Sequence, residues 1–273
     1  MNDTILFIFE GVTIEGQIFS SIETNFFPPL EGKTVIRSSF RGEIFQLWSI
    51  VKDDPYLDIV EVLKERPDSE DIRDLSREEV SEIHLFFDHD AHSRPLDRIS
   101  QLDYNEKINC LLDTFNNASE QGKLWISYPM AEALKHCKKE PNSCFYDAQI
   151  KISENNNYKN LIDNESDYLD IRKYDVFTWN YLTAVNIQRV FCLVNDAHKA
   201  ISEYNIIRKW FGEEINIVKM IQEKQYTKFI SPKDEVVALS PFPLFLLYYF
   251  GEPFFNACRC EEVVKTCSFF CYQ

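Results

Sequence analysis

Residues 83–90 read IHLFFDHD, a short apolar run that ends directly in two aspartates. An uninterrupted apolar run bounded by polar residues is typical of a buried β-strand. Successive side chains of an extended chain alternate, so Asp88 and Asp90 point the same way and His89 points the other way. The pattern therefore predicts two convergent carboxylates where this strand ends.

Further apolar runs of strand length lie on either side of this one. Residues 4–9 (TILFIF) precede Glu10-Gly11, and residues 123–128 (KLWISY) follow later. Apolar residues at helical spacing occupy the intervals between the strands, for example within 43–52 and 103–120. Strands that alternate with helices favour an α/β fold with a mainly parallel sheet flanked by helices.

The pattern changes near residue 140. Residues 140–170 are polar and rich in Asn, as in an insertion or a linker, and two helical stretches follow at 174–200 and 214–230. We therefore expect a catalytic domain over 1–140 and a mostly helical C-terminal region over 141–273. The apolar stretch 236–250 fits either a buried anchor or a partner surface, and its uninterrupted character favours the core.

Composition limits the function. The 273-residue chain has a formal charge of −15, which argues against a protein that coats DNA without regard to sequence. A nucleic-acid substrate stays possible through a local basic patch, a bound metal or a basic partner. The N-terminus lacks a basic leader and no apolar run approaches the ~20 residues of a membrane span, so we expect a cytoplasmic protein without a membrane partner.

The acidic residues at the strand ends suggest metal binding. Open α/β sheets bind ligands at the carboxyl ends of their strands. Asp88 and Asp90 repel each other there unless they are protonated or hold a cation, and oxygen ligands suit Mg²⁺ or Mn²⁺. If the first strand is a neighbour, Glu10 faces the same crevice. The three carboxylates therefore predict a divalent-metal site.

Glu10-Gly11 after the first strand and the DHD sequence at 88–90 resemble the Toprim domain of primases, topoisomerases and overcoming-lysogenization-defect nucleases. The resemblance covers roughly residues 1–140. It implies that Glu10 is an acid/base residue or metal ligand, that Asp88 and Asp90 hold Mg²⁺, and that the protein hydrolyses phosphodiester bonds of RNA or DNA.

Residues 128–132 (YPMAE) resemble the strand-to-helix step of small stand-alone Toprim proteins of phage defence. Examples are the toxin subunit of the PARIS system and abortive-infection partners of ABC-type ATPases. This resemblance implies a toxin or effector that is controlled by an ATPase partner. By analogy Glu132 adds a carboxylate to the site, although a glutamate in a first helical turn is also favoured by the helix dipole.

Nuclease members of the family often read E-G-x-x-D, and Ile14 stands at that aspartate position here. Glu15 is the next residue and replaces the aspartate after a shift by one position, or it is a solvated residue of the first helical turn. A second metal ion would depend on Glu15 or Glu132. His92, close to the aspartates, is a candidate general base or ligand.

Phosphate binding calls for cations beside the carboxylates. The densest basic cluster comprises Lys135, His136, Lys138 and Lys139, and Lys135 is its candidate site residue. Arg94 and Arg98 lie just past the two aspartates and are further candidates. For the lysines, a solvated helix end explains the cluster equally well.

The cysteines do not indicate a metal site. Cys258, Cys260, Cys267 and Cys271 lack paired CxxC spacing, so structural zinc is not expected there. The scattered cysteines at 110, 137, 144 and 192 are expected in the core.

Two other function classes stay open. Haloacid-dehalogenase-like phosphohydrolases also place DxD after an apolar strand, but their motif continues with Gly-Thr or Gly-Val, and it gives Glu10 no role. Here Ala91-His92 follows. The other class is a non-catalytic interaction subunit with a degenerate Toprim fold, which Ile14 and the acidic surface favour.

Overall fold

The computed structural model describes residues 3–27, 33–52, 54, 56–66, 69–89, 98–138, 148–195, 203–212 and 216–259. The architecture is α/β, as predicted, and its main element is a five-stranded sheet of order β2-β1-β3-β5-β4. The pairs β1–β2, β1–β3 and β3–β5 are parallel, and the short edge strand β4 is antiparallel to β5. The strands are β1 (Asp3–Phe9), β2 (Lys33–Ser39), β3 (Val80–Asp88), β4 (Asn116–Asn117) and β5 (Gly122–Ser127).

Helices connect and cover these strands. The helices of the first part are α1 (Ile14–Phe26), α2 (Ile44–Val51), α3 (Ile59–Lys64) and α4 (Arg98–Thr114). The helix predicted over 103–120 ends at Thr114, because the chain turns into the β4–β5 hairpin and Gly122 adopts a positive φ of 104°. The helix predicted after Pro129 is a 3₁₀ turn over Ala131–Lys135 instead.

The later part of the chain is mostly helical, as predicted. Its elements are β6 (Gln149–Lys151), α5 (Tyr158–Glu165), α6 (Val176–Asn195), α7 (Tyr204–Trp210), α8 (Ile217–Gln225), a π-helical segment (Tyr226–Ile230), α9 (Ser231–Lys233), β7 (Glu235–Val237) and α10 (Pro241–Cys258). β6 and β7 form a separate antiparallel pair. The Asn-rich stretch therefore contains ordered elements, and Tyr158 and Ile162 of α5 are buried.

The sheet and the C-terminal helix share one core. β1 and β3 are apolar on both faces because helices cover both, as expected of parallel strands. Phe86 of β3 stacks on Phe242 of α10 with ring centroids 4.6 Å apart, and Phe245 meets Phe7 edge-on at 5.3 Å. The apolar stretch 236–250 therefore lies largely in the core, as the sequence favours. The division of the chain at residue 140 stays a prediction.

The cysteines follow their expected burial in part. Cys137, Cys192 and Cys258 are buried, whereas Cys110 is exposed on α4, so the expectation of a core position was wrong for Cys110. It was wrong because position 110 falls on the outer face of the helix whose inner face carries Ile108 and Leu111. Four cysteines lie outside the described residues: Cys144, Cys260, Cys267 and Cys271. No helix within the described ranges has the length and apolarity needed to cross a bilayer.

Candidate metal centre

The strand order creates a crevice between β1 and β3. From β1 the chain passes through α1 to β2 on one side, and it later returns to β3 on the other side. Where the strand order reverses, the loops that follow the two neighbouring strands run in opposite directions and leave a gap at the carboxyl ends of these strands. Ligands of open α/β sheets bind in this gap. Glu10 directly follows β1 and Asp88 is the last residue of β3. The two carboxylates therefore stand at the position where open α/β sheets commonly bind ligands.

Glu10 is held by backbone on both sides. Its N–H donates to the carbonyl oxygen of Phe86 (3.0 Å), and its carbonyl oxygen accepts from the N–H of Arg41 (2.9 Å). The side chain bends toward β3, where Oε2 accepts a hydrogen bond from the N–H of Asp88 (2.9 Å). These contacts position the Glu10 carboxylate against the end of β3 before any ligand binds.

Gly11 brings Glu15 into the same crevice. The N–H of Gly11 donates to Oε1 of Glu15 (3.0 Å), so the first turn of α1 folds its carboxylate back toward the loop. A Cβ atom at position 11 would lie 2.9 Å from both carboxylate oxygens, which explains the glycine. Glu15 is 6% exposed, so its interpretation as a solvated helix residue was wrong.

Glu132 reaches the crevice from β5. The chain leaves β5 through a cis Tyr128–Pro129 bond and enters the 3₁₀ turn that carries Glu132. Glu132 is 8% exposed, and its Oε1 lies 2.9 Å from Nζ of Lys159, at the start of α5. Lys159 was not among the predicted site residues, because nothing in an Asn-rich stretch distinguishes it from a solvated lysine.

The pKa values show that these carboxylates act on one another. Burial raises the pKa of Asp88 well above its usual value, and the charges of Glu10, Glu15 and Glu132 raise it further, against a hydrogen bond from Ser127. Burial also raises the pKa of Glu15, and Glu132 adds to that rise. A low-dielectric crevice with several carboxylates requires protons or cations to offset the repulsion.

Lys159 offsets part of this charge. Its hydrogen bond with Glu132 raises the pKa of the ammonium, and the charges of Glu132, Asp88 and Glu15 raise it further. Lys159 is therefore protonated at neutral pH. Lys159 supplies one ammonium beside four carboxyl groups, so protons or a further cation must offset the remaining repulsion.

The donor set fits a hard divalent cation. All four side chains offer carboxylate oxygens, which Mg²⁺ and Mn²⁺ prefer. In the described part of the chain no group of three or more His, Cys, Asp or Glu side chains is arranged to hold a metal ion. The predicted ligand Asp90 lies outside the described residues. The metal centre therefore stays a prediction, and Asp90 is one of its predicted ligands.

The predicted basic cluster does not form a unit. Burial, followed by the charge of Arg189, lowers the pKa of His136 to about 3, so its ring is neutral and hydrogen-bonds with the Tyr158 hydroxyl at 3.1 Å. Nζ of Lys138 lies 4.0 Å from Oε2 of Glu165. The ammonium of Lys135 forms no ion pair among the described residues. The prediction of a joint phosphate-binding cluster was therefore wrong for His136, because the 3₁₀ turn directs that ring into the core.

The remaining predicted residues lie in three kinds of position: one is buried, one begins a helix, and three lie outside the described residues. His89 is buried between the rings of Tyr128 (centroids 4.9 Å apart) and Tyr104 (5.9 Å), on the side opposite Asp88. Three candidates lie outside the described residues: His92, Arg94 and Lys139. Arg98 is the first residue of α4.

Comparison with known proteins adds no assignment. No family model, curated protein or solved structure matches this chain.

Proposed function

We propose that this protein is a divalent-metal-dependent nuclease of the Toprim type that hydrolyses phosphodiester bonds of RNA or DNA. One observation carries the proposal. Four carboxyl groups influence one another's pKa at the point where the strand order of a parallel sheet reverses. They come from three separate parts of the chain: Glu10 and Glu15 follow β1, Asp88 ends β3 and Glu132 follows β5. Buried like charges are costly, and they cluster where function requires them.

The proposed ligands are Glu10, Asp88 and Asp90, with Glu15 and Glu132 available to a second ion. Bound Mg²⁺ or Mn²⁺ would lower the pKa of a coordinated water and neutralise charge that develops on the phosphate. Asp88 and Glu10 are positioned for this by the backbone contact between them (2.9 Å). Their fixed geometry lowers the cost of ordering a site on binding.

The chain itself supplies proton transfer and phosphate contact. Burial raises the pKa of Glu15, which favours its protonated form and makes it a candidate proton donor. Lys159 keeps a positive charge beside Glu132, where it can contact a phosphate oxygen. The crevice therefore combines an acid, metal ligands and an anchoring cation, which together suit phosphodiester hydrolysis.

The test is cleavage of three substrates with Mg²⁺ or Mn²⁺: total RNA, plasmid DNA and p-nitrophenyl phosphate. We expect cleavage of RNA or DNA that Glu10→Ala lowers by about 100-fold or more. Glu78→Ala should leave cleavage unchanged, since Glu78 is exposed and lies just before β3, at the end of the strand opposite Asp88. Full activity of Glu10→Ala would exclude the mechanism.

The same assay separates the alternatives. Hydrolysis of p-nitrophenyl phosphate without nuclease activity would favour a haloacid-dehalogenase-like phosphohydrolase, which has no use for Glu10. If the folded protein cleaves none of the substrates, alone or with its partner, the result would favour a non-catalytic interaction subunit.

Control by an ABC-type ATPase and a role as a phage-defence toxin are further parts of the proposal. The family resemblance and the formal charge of −15 support them, because an acidic nuclease gains from a partner that brings it to a polyanion or withholds it. Co-expression tests this point: the ATPase should suppress toxicity of the wild-type chain, and Glu10→Ala should be harmless without it.

A further inference from the structure

A cleft of about 500 Å³ follows α1. The outer face of α1 forms one wall, and β2 and the turn before α6 supply the rest. Its lining residues carry hydroxyl, amide and guanidinium groups, although apolar atoms supply most of the lining surface: Thr13, Gly16, Gln17, Ser20, Ser21, Thr24, Asn25, Arg37, Arg172 and Tyr174. We call this feature the α1 cleft.

The α1 cleft differs in charge from the rest of the chain. Although the protein carries a formal charge of −15, the described lining includes two arginines and no carboxylate. Arg37 donates to the Ser20 hydroxyl (2.7 Å) and forms no ion pair with any described residue. Arg172 is exposed and forms a two-point ion pair with Asp170, in which Nε lies 2.8 Å from Oδ1 and Nη2 lies 3.2 Å from Oδ2. Arg37 is therefore the lining cation without a carboxylate partner among the described residues, and it makes the cleft a candidate site for anions.

The α1 cleft lies close to the crevice along the chain. Thr13 lines the cleft and directly precedes α1, whose first turn carries Glu15. Arg37 pairs with Phe7, which places it three residues before the level of Glu10 on the adjacent strand. Strand rise and spacing then separate the Cα atoms of Arg37 and Glu10 by about 11 Å. From Thr13 to Asn25 the helix spans about 18 Å, comparable to about five nucleotide steps of a duplex strand.

We propose that the α1 cleft binds the phosphodiester backbone of the nucleic-acid strand next to the bond that is cut, and this inference rests on the proposed nuclease function. A guanidinium offers five N–H donors in a fork that matches phosphate oxygens, and Arg37 uses one of them within the described structure. Hydroxyl and amide groups complete contacts that do not depend on base identity. The cleft thus gives an acidic protein a confined path for a polyanion.

The test measures binding of a labelled single-stranded oligonucleotide by fluorescence anisotropy at several salt concentrations. The full chain carries Asp88→Asn throughout, so that binding is measured without cleavage. We expect Arg37→Ala to raise the Kd about threefold to tenfold and to lower the salt slope by about 1, as for the loss of one phosphate contact. Thr24→Glu, which adds a charge without removing a donor from Arg37, should weaken binding similarly. Arg208→Ala on the exposed face of α7 is the matched control and should leave binding unchanged.

The outcomes separate this inference from the proposed function. If the wild-type chain cleaves nucleic acid while both cleft variants bind like the control, the cleft proposal fails and the nuclease proposal stands. If the variants weaken binding while the wild-type chain never cleaves, the cleft proposal stands and the nuclease proposal fails. Absence of oligonucleotide binding, or competition by inorganic phosphate that equals that of the oligonucleotide, overturns the cleft proposal.

Discussion

Replacing Asp88 by Asn should stabilise the metal-free protein at neutral pH. Burial and the charges of Glu10, Glu15 and Glu132 raise the pKa of Asp88 in the folded state, whereas the unfolded chain keeps a value of about 3.9. Below the unfolded value both states are protonated and no penalty exists. As pH rises above the unfolded pKa, the unfolded chain releases the proton while the folded chain still holds it, so the fold loses stability until the pH passes the folded pKa. Asn removes this penalty.

The size of the effect follows from the spacing of β1 and β3. Neighbouring strands lie about 4.8 Å apart, and two unit charges about 5 Å apart repel by about 3 kcal/mol at an effective dielectric constant of about 20. Asp88 is partly exposed, and solvent lowers the repulsion, so we expect a gain of about 1 to 3 kcal/mol in the free energy of unfolding. A chain of this size should then melt about 3 to 9 °C higher.

Calorimetry in EDTA at pH 5 and pH 8 measures this gain. The stabilisation should be larger at pH 8. The control Asp74→Asn replaces an exposed aspartate that lies before the start of β3, and it should change the melting temperature little at either pH. Adding Mg²⁺ should narrow the difference, since a cation stabilises the wild-type crevice more. A variant that is less stable than the wild type at pH 8 in EDTA would refute the electrostatic reasoning.

Three further changes test other contacts of the site and core. Gly11→Ala forces the Glu15 carboxylate away from position 11 and should lower the affinity for Mn²⁺ about tenfold in a calorimetric titration. An unchanged affinity would show that Glu15 is not a metal ligand. Lys159→Met should lower the cleavage rate about tenfold or more, because it removes the positive charge beside Glu132. Lys159→Arg keeps the charge and should restore most of the rate, and equal rates for both variants would contradict this role. Phe245→Ala should lower the free energy of unfolding by about 3 to 5 kcal/mol in urea titrations, and a loss below about 1 kcal/mol would show that α10 does not share the core of the sheet.

Sequence patterns predicted the strands well, because burial on both faces leaves an unambiguous signal. The apolar runs 4–9 and 83–87 lie in β1 and β3, and each is followed by the acidic residue that the prediction placed there. That β1 and β3 are neighbours in the sheet was harder to predict from the sequence. Pairing of Phe9 with Phe86 joins residues far apart in the chain, and no local pattern states which strands become neighbours. Only the strand order turns two separate carboxylates into one crevice.

Close contacts within the loops were also beyond sequence reasoning. Glu15 has the spacing of an ordinary first-turn glutamate, and its burial depends on the hydrogen bond that Gly11 makes possible. His136 has the composition of a basic cluster, yet the 3₁₀ turn after β5 buries its ring. In both cases the backbone path, rather than the residue type, decides where the side chain points.

Lys159 shows why the crevice belongs to both parts of the chain. Its neighbour Tyr158 is fully buried, and the Tyr158 hydroxyl hydrogen-bonds with His136, whose ring stays neutral because its pKa is about 3. The carbonyl oxygen of His136 in turn accepts from the buried guanidinium of Arg189 in α6 (2.7 Å). This network fixes the start of α5 against the turn that carries Glu132, so the ammonium of Lys159 is held at the crevice by groups that do not titrate near neutral pH. The charge balance of the acidic site is therefore set by a helix that follows the predicted catalytic domain, and a chain cut at residue 140 would lose the cation while keeping the carboxylates.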